Sequence, residues 1–492
     1  MECETLSLDR IEVSIDQEKV EDTEEKKVKS DRRLGETFFK PGSIAVIGAS
    51  PSEDKLSNVL LENIKEAKSS DEIFPVNPNY DEIEGMRCFD SIKDVRKKID
   101  LAVVSVPSDL VPDIVEGCVQ ADVGNVVVIS SGFSETGTEK GEELERKLVE
   151  AVEDSSTRLL GPNTLGYYLP SEDLDLTFLG KDAFERPSEG GIGLISQSGS
   201  LGVDFLNELS STGSGVSLFL SLGNKADINE CDVIDYLWRD DKTECIAMYL
   251  EGISEGERFF DLCSSVTEEK PMIMLKGGKS ESGEKAASLH TGKMGGAYKI
   301  TRDIMDQLNI IEADDEVELL DFAQGFNDSI LPKGKRVLVI TNGGGNGIIA
   351  VDRMENEWKE VLDLVSLSSE FKTKITDVVP DFISPGNPID LSAEASNEDY
   401  LQVLDLVGKH DISDLVVLGI TVSSTIDGSI ADDVKELSEK HSLPIITYLK
   451  GFNDGKKIKD EFDKNGLPAY PSVRRATNVA GAIMRWNEGC KR

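Results

Sequence analysis

Short apolar runs alternate with polar or amphipathic stretches of helical length over most of this chain. The first run, at residues 43–50, is rich in β-branched residues and ends in a glycine turn. Similar runs return at 73–76, 100–106 and 125–130. Nearly continuous apolar strands that alternate with helices are typical of a parallel sheet covered on both faces. The pattern therefore predicts a doubly wound α/β domain.

The same alternation begins twice more along the chain. Apolar runs at 192–195, 215–220, 245–250 and 272–275 predict a second sheet, and those at 336–341, 415–420 and 444–449 predict a third. A connection rich in acidic, Pro and Gly residues, typical of a linker, precedes the second set. We predict three doubly wound parallel-sheet domains at residues 35–170, 185–330 and 331–492, after an acidic mobile tail at 1–34.

Small residues follow the predicted strands of the first domain. In open α/β sheets ligands bind beyond the carboxyl ends of the strands, where backbone N–H groups can hold phosphates. The turn at residues 48–50 lacks a full G-x-G-x-x-G, so an ordinary tight turn is the alternative there. The candidate ligand-binding residues of this edge are Gly48, Ser50, Val106, Pro107, Ser130, Ser131 and Gly132.

Two later strand-to-helix turns are also made of small residues. Unpaired N–H groups at the positive end of a helix dipole suit a phosphoryl group, although a serine N-cap is the alternative for the first turn. Three consecutive glycines in the second turn carry a backbone-entropy cost that a merely structural turn would not need. The candidate phosphate-binding residues are Ser196, Ser198, Gly199 and Ser200, and then Asn342, Gly343, Gly344, Gly345 and Gly347.

His290 is one of only three histidines, and it stands among small residues. A neutral imidazole is a nucleophile near pH 7. Glu251 directly follows the predicted strand at 245–250, so the sheet could bring the two residues together. We take His290 and Glu251 as the candidate catalytic pair, with a structural histidine and a solvated glutamate as the alternatives.

Composition limits the classes of partner. The 93 acidic and 53 basic residues give a net charge of −40, which repels nucleic acid and anionic lipid. We expect a halophilic protein whose carboxylates are screened by salt. Seven scattered cysteines without a C-x-x-C pair predict neither disulfides nor a metal site. No run of eighteen apolar residues occurs and the N-terminus is acidic, so we expect a soluble, cytoplasmic protein.

A series of short motifs in order resembles a known family over most of the chain. The chain is similar to the α subunits of NDP-forming acyl-CoA synthetases, the ADP-forming acetate–CoA ligases, which are relatives of succinyl-CoA synthetase. The motifs are IAVIGAS at 44–50, FPVNP at 74–78, GPN at 161–163, SQSG at 196–199, SLGNKAD at 221–227, YLEGI at 249–253, HTG at 290–292 and NPIDL at 387–391.

The resemblance implies a Rossmann-like CoA-binding domain followed by two flavodoxin-like ligase domains. It implies that His290 is phosphorylated transiently, that Glu251 orients it, and that the turns at 196–201 and 342–347 point helix N-termini at the phosphohistidine. The implied reaction converts acyl-CoA, ADP and phosphate reversibly to carboxylic acid, CoA and ATP through an acyl phosphate. The chain departs from the family pattern at Leu289, Lys293 and Met294, so the resemblance does not say which acyl group is preferred.

The nucleotide site is missing from the sequence. No G-x-x-x-x-G-K-[ST] loop occurs, and nothing resembles the ATP-grasp domain of the family's nucleotide half. We therefore expect ADP or ATP and Mg²⁺ on a partner β subunit with an ATP-grasp domain, in an α2β2 assembly. A non-catalytic CoA-sensing protein is the alternative. A nicotinamide-dependent oxidoreductase is disfavoured, because Asn77-Pro78-Asn79 stands where an acid should bind the ribose.

Overall fold

The computed structural model describes residues 33–66, 72–183, 185–291, 298–327, 330–380, 383–451 and 453–490, with only the backbone of 287–291 and 453–454. The tail predicted at 1–34 lies outside these residues except for its last two. Leu34–Arg492 form one compact unit. Within the described residues, no helix combines the length and the apolar character that crossing a membrane requires.

The first sheet has five parallel strands in the order β2-β1-β5-β6-β7, and β3 and β4 form a separate antiparallel hairpin. The strands are β1 (Ser43–Ile47), β2 (Glu72–Val76), β3 (Glu82–Ile83), β4 (Met86–Arg87), β5 (Leu101–Val104), β6 (Asn125–Val128) and β7 (Arg158–Leu160). The helices are α1 (Glu36–Phe39), α2 (Leu56–Ile64), α3 (Val111–Gln120) and α4 (Glu139–Glu153).

The second sheet has seven strands in the order β14-β13-β12-β10-β11-β8-β9, and only β8 and β9 run antiparallel to their neighbours. Its strands are β8 (Tyr167–Leu169), β9 (Leu174–Asp175), β10 (Glu189–Ser196), β11 (Val216–Ser221), β12 (Cys245–Leu250), β13 (Met272–Lys276) and β14 (Ile311–Ala313). Its helices are α5 (Gly199–Ser211), α6 (Glu230–Arg239), α7 (Gly256–Val266), α8 (Glu281–Thr291), α9 (Tyr298–Gln307) and α10 (Glu316–Phe326).

The third sheet has the order β17-β18-β15-β19-β20-β21, with β16 paired to β15. Only β17 is antiparallel. Its strands are β15 (Arg336–Thr341), β16 (Asp363–Leu364), β17 (Ser384–Pro385), β18 (Ile389–Asp390), β19 (Leu415–Thr421), β20 (Ile445–Lys450) and β21 (Ala469–Tyr470). Its helices are α11 (Gly344–Glu357), α12 (Ser369–Thr376), α13 (Asn397–Lys409), α14 (Ile430–His441), α15 (Asn453–Lys464) and α16 (Val473–Gly489).

The apolar runs form the central strands because both faces of each sheet are covered. Every residue of β1, β5, β6 and β11 is buried. The predicted α/β class with mostly parallel sheets is confirmed. The predicted domain limits stay a prediction, and β8 lies within the range given to the first domain although it pairs with β11 of the second sheet.

One hydrophobic cluster is shared by the second and third sheets. It includes Phe322 on α10 together with Val479 and Ile483 on α16. A Cβ at Gly325 would come within 2.3 Å of a Val479 methyl carbon, so α10 and α16 need this glycine to pack so closely. The two sheets are thus joined by a continuous core.

Buried charges join the first sheet to the second. Arg158, on β7, donates to Asp227 Oδ2 over 2.9 Å and to Asp232 Oδ2 over 3.1 Å. The backbone N–H of Leu159 also donates to Asp227, over 2.8 Å. Because the side chains of Arg158 and Asp232 are less than a tenth exposed, these ion pairs are little screened by solvent. They fix β7 beside α6, which begins three residues after Asp227.

Candidate active site

A cavity of about 660 Å³ lies between the carboxyl edge of the first sheet and the start of α5. Val106 and Pro107 reach it after β5, and Ser130 and Ser131 reach it after β6. Ser198, Gly199 and Ser200 line it from α5. The structure therefore brings together four of the predicted CoA-binding residues and three of the predicted phosphate-binding residues.

Gly48 lies in a neighbouring cavity of about 530 Å³, which Val106 and Pro107 also line. Its φ of +90° suits glycine, and a Cβ there would lie 2.3 Å from the carbonyl oxygen of Ser105. Gly48 is thus required by the close approach of the chain after β5. This cavity extends along the carboxyl edge of the first sheet toward β2.

Ser50 and Gly132 do not line either cavity. Ser50 is buried, and its hydroxyl accepts a hydrogen bond from the Ser52 N–H over 3.2 Å. The N–H of Gly132 donates to Glu135 Oε1 over 2.5 Å, and Glu135 Oε2 accepts from Asn224 Nδ2 over 2.6 Å. The Gly132 N–H, which the sequence predicts for ligand binding, therefore already donates to the Glu135 carboxylate.

The turn before α5 is organised by its serines. Ser196 is fully buried and donates its hydroxyl to the Ser198 carbonyl over 2.6 Å. Ser198 is the N-cap of α5 and accepts from the Leu201 N–H over 3.4 Å. Ser198 therefore has the N-cap role that was the alternative to phosphate binding at this turn. The first N–H groups of α5 have no partner within the helix. Gly199 and Ser200 line the cavity, which therefore lies at the positive end of the helix dipole.

Glu251 and Gly252 are held in place by Gln197, which the sequence reasoning did not single out. The Oε1 atom of Gln197 accepts from the N–H of Glu251 over 2.9 Å and from the N–H of Gly252 over 3.3 Å. The Gln197 N–H donates to the Tyr249 carbonyl over 2.9 Å. Gln197 thus links the α5 turn to the end of β12. Its place inside the SQSG motif was the available signal.

Two lysines hold the carbonyl groups of the same dipeptide. Lys276 Nζ donates to the Glu251 carbonyl, and Lys225 Nζ donates to the Gly252 carbonyl, each over 2.7 Å. Lys276 is 4% exposed, and its burial lowers its ammonium pKa, which the nearby Glu251 carboxylate opposes. Lys225 also pairs with Glu230 over 2.9 Å. Both amides and both carbonyls of Glu251-Gly252 therefore have side-chain partners.

The carboxylate of Glu251 accepts a hydrogen bond from the Tyr249 hydroxyl over 3.2 Å. Burial and this neighbouring carboxylate raise the pKa of Tyr249. Tyr249 therefore stays protonated and can act as a donor. Glu251 itself is only 6% exposed, so its side chain is held in one environment at the end of β12.

His290 lies in α8, the helix that follows β13, but its side chain and that of Leu289 lie outside the described residues, as do Lys293 and Met294. The contact between His290 and Glu251 therefore stays a prediction. Within the described residues, no group of three or more His, Cys, Asp or Glu side chains is arranged to hold a metal ion.

The turn before α11 lines neither of the two cavities. The N–H of Asn342 donates to the Tyr400 hydroxyl over 2.8 Å. A Cβ at Gly344 would lie 2.5 Å from Asp390 Oδ2, and one at Gly347 would lie 2.8 Å from the Thr341 methyl carbon. Packing thus accounts for these two glycines. Gly343 is an N-cap without a side-chain bond, and Gly345 faces open space.

Comparison with known proteins identifies two families along the chain. The family described as "CoA binding domain" matches residues 42–170, and the one described as "succinyl-CoA ligase like flavodoxin domain" matches 189–326. The α subunit of acetate–CoA ligase [ADP-forming] II from Pyrococcus furiosus is 33% identical over 465 residues, which are 91% of this chain and 99% of that one. The chain belongs to the family of ADP-forming acetate–CoA ligase α subunits.

Members of this acetate–CoA ligase family differ in length. Acetate–CoA ligase [ADP-forming] I of Archaeoglobus fulgidus is 37% identical over 92% of this chain, but the match covers only 64% of that protein. An acetyl-coenzyme A synthetase 1 from Ca. Korarchaeum cryptofilum, solved in complex with phosphate and ADP, superposes with a TM-score of 0.86 and 31% identity. That superposition covers 93% of this chain and 97% of the other.

Proposed function

We propose that this chain is the α subunit of an ADP-forming acetate–CoA ligase. It converts acyl-CoA, ADP and phosphate to a carboxylic acid, CoA and ATP, in either direction. The observation that carries the proposal is the cavity of about 660 Å³ in which the edge of the CoA-binding sheet meets the N-terminus of α5, beside the fixed end of β12.

CoA binds across the carboxyl edge of the first sheet. The two cavities there share Val106 and Pro107, so a long ligand can pass from one to the other. The cavity at Gly48 takes the nucleotide end of CoA, since this is the crevice where doubly wound sheets bind nucleotides. The thioester end then lies in the larger cavity, next to Ser198 and Ser200.

Phosphate binds at the N-terminus of α5, where backbone N–H groups stabilise negative charge without a cationic side chain. One oxygen of hydrogen phosphate attacks the thioester carbonyl, the carbon–sulfur bond breaks, and the proton of the phosphate passes to the CoA thiolate. The product is an acyl phosphate that remains in the cavity. Residues 196, 198, 199 and 200 shape this site, with Gln197 fixing it against Glu251.

His290 then takes the phosphoryl group. One ring nitrogen attacks phosphorus and the bond to the carboxylate oxygen breaks, which releases the acid. Glu251 accepts a hydrogen bond from the other ring nitrogen and so fixes the tautomer. A terminal oxygen of ADP finally attacks phosphorus and breaks the phosphorus–nitrogen bond. The turn at Asn342, Gly343 and Gly345 offers a second helix N-terminus to the phosphohistidine during this transfer.

A partner β subunit supplies the nucleotide site. The Pyrococcus relative is named a subunit alpha, and the longer Archaeoglobus relative extends well beyond its match to this chain. These findings support a separate β chain. In this proposal that chain carries an ATP-grasp domain, binds ADP, ATP and Mg²⁺, and forms an α2β2 assembly with the present chain. The complex works in the cytoplasm of a halophilic cell.

Reconstitution tests this function. The chain is co-expressed with a candidate β subunit similar to the unmatched part of the Archaeoglobus relative, and ATP is measured with acetyl-CoA, ADP and phosphate. We expect ATP from the complex and none from the chain alone. ATP formed by the chain alone would overturn the two-subunit proposal, and no ATP with any acyl-CoA would favour the CoA-sensing alternative.

A further inference from the structure

Lys276, the last residue of β13, carries a buried ammonium group that no step of the proposed reaction uses. The residue is 4% exposed, and its Nζ donates to the Glu251 carbonyl over 2.7 Å and also to the Gly277 carbonyl. Both acceptors are uncharged, and Lys276 makes no ion pair within the described residues. A buried charge without a charged partner raises the free energy of the folded state.

Lys225, the second lysine that holds this dipeptide, does have a charged partner. Its Nζ lies 2.9 Å from the buried carboxylate of Glu230, so the ion pair compensates its charge inside the protein. Lys276 has no such compensation. A neutral side-chain amide could donate to the same carbonyls without burying a charge, so holding the carbonyls does not by itself explain a lysine at position 276.

The charges that face Lys276 come from three elements. Burial lowers the pKa of its ammonium group, the carboxylates of Glu251 after β12 and Glu284 on α8 oppose this, and Lys225 reinforces it. A Cβ at Gly277 would lie 3.3 Å from Glu251 Cγ, so the Glu251 side chain packs directly against the end of β13. The ammonium group therefore lies behind the residue that orients the nucleophile in the proposed function.

Phosphohistidine formation adds negative charge beside Glu251. In the proposed function the phosphoryl group is bound to one nitrogen of His290 while the Glu251 carboxylate accepts a hydrogen bond from the other. Two anions at one site, where water screens little, repel each other.

We propose that Lys276 is a positioning residue whose ammonium charge offsets the combined negative charge of Glu251 and the phosphoryl group, and so stabilises the phosphohistidine. The inference rests on the proposed function. Lys276 lines neither of the two cavities at the first sheet, so it acts through Glu251 and does not contact CoA there. This role explains why a charge that costs stability is buried at the end of β13.

Phosphoryl transfer to the full chain tests this role without the partner. The chain is incubated with acetyl phosphate that is isotopically labelled in its phosphoryl group, so that acetate leaves as phosphohistidine forms. Mass spectrometry then measures the rate of labelling of His290 and its equilibrium level at a fixed ratio of acetyl phosphate to acetate.

Two substitutions of Lys276 separate its charge from its hydrogen bonds. Lys276→Gln keeps a neutral donor for the two carbonyls but removes the charge, so the rate and the equilibrium level of phosphohistidine should each fall by about ten-fold or more. Lys276→Arg keeps the charge and should recover most of both. In the reconstituted complex the KM for acetyl-CoA should be the same in Lys276→Gln as in wild type, while kcat falls.

Lys270 offers a matched control at the opposite end of the same strand. It lies two residues before β13, and its Nζ donates to the carbonyls of Leu237 and Asp240 over 2.9 Å and 2.6 Å. Burial lowers the pKa of this ammonium group as well. Lys270→Gln therefore removes a similar lysine at the other edge of the sheet and should leave the phosphorylation of His290 unchanged.

Four results would overturn the inference. Wild-type phosphorylation of Lys276→Gln would reduce the lysine to a carbonyl donor and leave the proposed function standing. An equal loss in Lys270→Gln would mean that the effect is not specific to the end of β13 at Glu251. A loss that folded Lys276→Arg does not recover would assign the effect to side-chain shape. A wild-type chain that gains no label would count against both the inference and the proposed function.

Discussion

Single residues around Glu251 decide how precisely its carboxylate is placed. Gln197 holds both amides of Glu251-Gly252, and Lys276 and Lys225 hold the two carbonyls. Glu251 could be found from the sequence because it follows an apolar run directly. The SQSG motif marks Gln197, but it does not show that Gln197 and the two lysines hold Glu251. Only the folded protein brings the turn after β10, the loop of Lys225 and β13 together.

Gln197→Leu should destabilise the protein, because it leaves two N–H groups at the end of β12 without their acceptor. An unsatisfied buried group raises the free energy of the folded state by about 1–3 kcal/mol. Urea unfolding should show a loss in this range. Gln197→Glu keeps an acceptor oxygen and should lose less. Equal stability of Gln197→Leu and wild type would show that these two bonds do not hold Glu251.

The buried ammonium group of Lys276 should make the stability of the protein depend on pH. Burial lowers its pKa in the folded protein, so the unfolded chain binds this proton more tightly. The contribution of Lys276 to the free energy of unfolding is fully present above pH 10.5, the approximate pKa of this side chain in the unfolded chain. It is lost as the pH falls through the lower pKa of Lys276 in the folded protein. The free energy of unfolding of wild type minus that of Lys276→Met should therefore rise as the pH increases toward 10.5. A flat difference would contradict the effect of burial.

At the scale of elements, parallel topology made much of the site predictable. Residues after β5 and β6 meet because strands of one direction end at one edge of a sheet, and Val106 and Ser130 follow this rule. Ser198 follows β10 of the second sheet, so its place in the same cavity depends on how the two sheets pack. Parallel topology does not predict which backbone N–H groups remain available to bind a ligand. Glu135 occupies the N–H of Gly132, and packing against Asp390 explains Gly344. The Glu135 contact lies within one turn and the Asp390 contact joins distant segments, and the pattern of strands and glycines records neither.

The junction of β7 with α6 gives a prediction about buried ion pairs. Asp227→Ala removes one of the two carboxylates that bind Arg158 and the acceptor of the Leu159 N–H. Breaking a buried pair leaves an uncompensated charge and typically destabilises by about 3–5 kcal/mol. Thermal unfolding should show this loss, with no measurable change for Glu370→Ala in an exposed pair. Equal melting temperatures would mean that Asp232 alone compensates Arg158.

The charge of the whole molecule predicts its response to salt. With 93 acidic and 53 basic residues, repulsion between surface carboxylates opposes the compact state. Added salt screens this repulsion, since the screening length is about 3 Å at 1 M. The melting temperature should rise steadily with KCl. A protein equally stable without salt would contradict the halophilic proposal but would leave the site unaffected.

The most direct test of the proposed chemistry follows the phosphoryl group to one imidazole. The reconstituted complex is incubated with ATP labelled at the γ-phosphate, and the label is located by mass spectrometry. We expect it on His290, absent in His290→Asn, formed more slowly in Glu251→Gln and unchanged in His410→Asn, whose residue lies exposed at the end of α13. A label that persists in His290→Asn, or none on the active complex, would contradict the account.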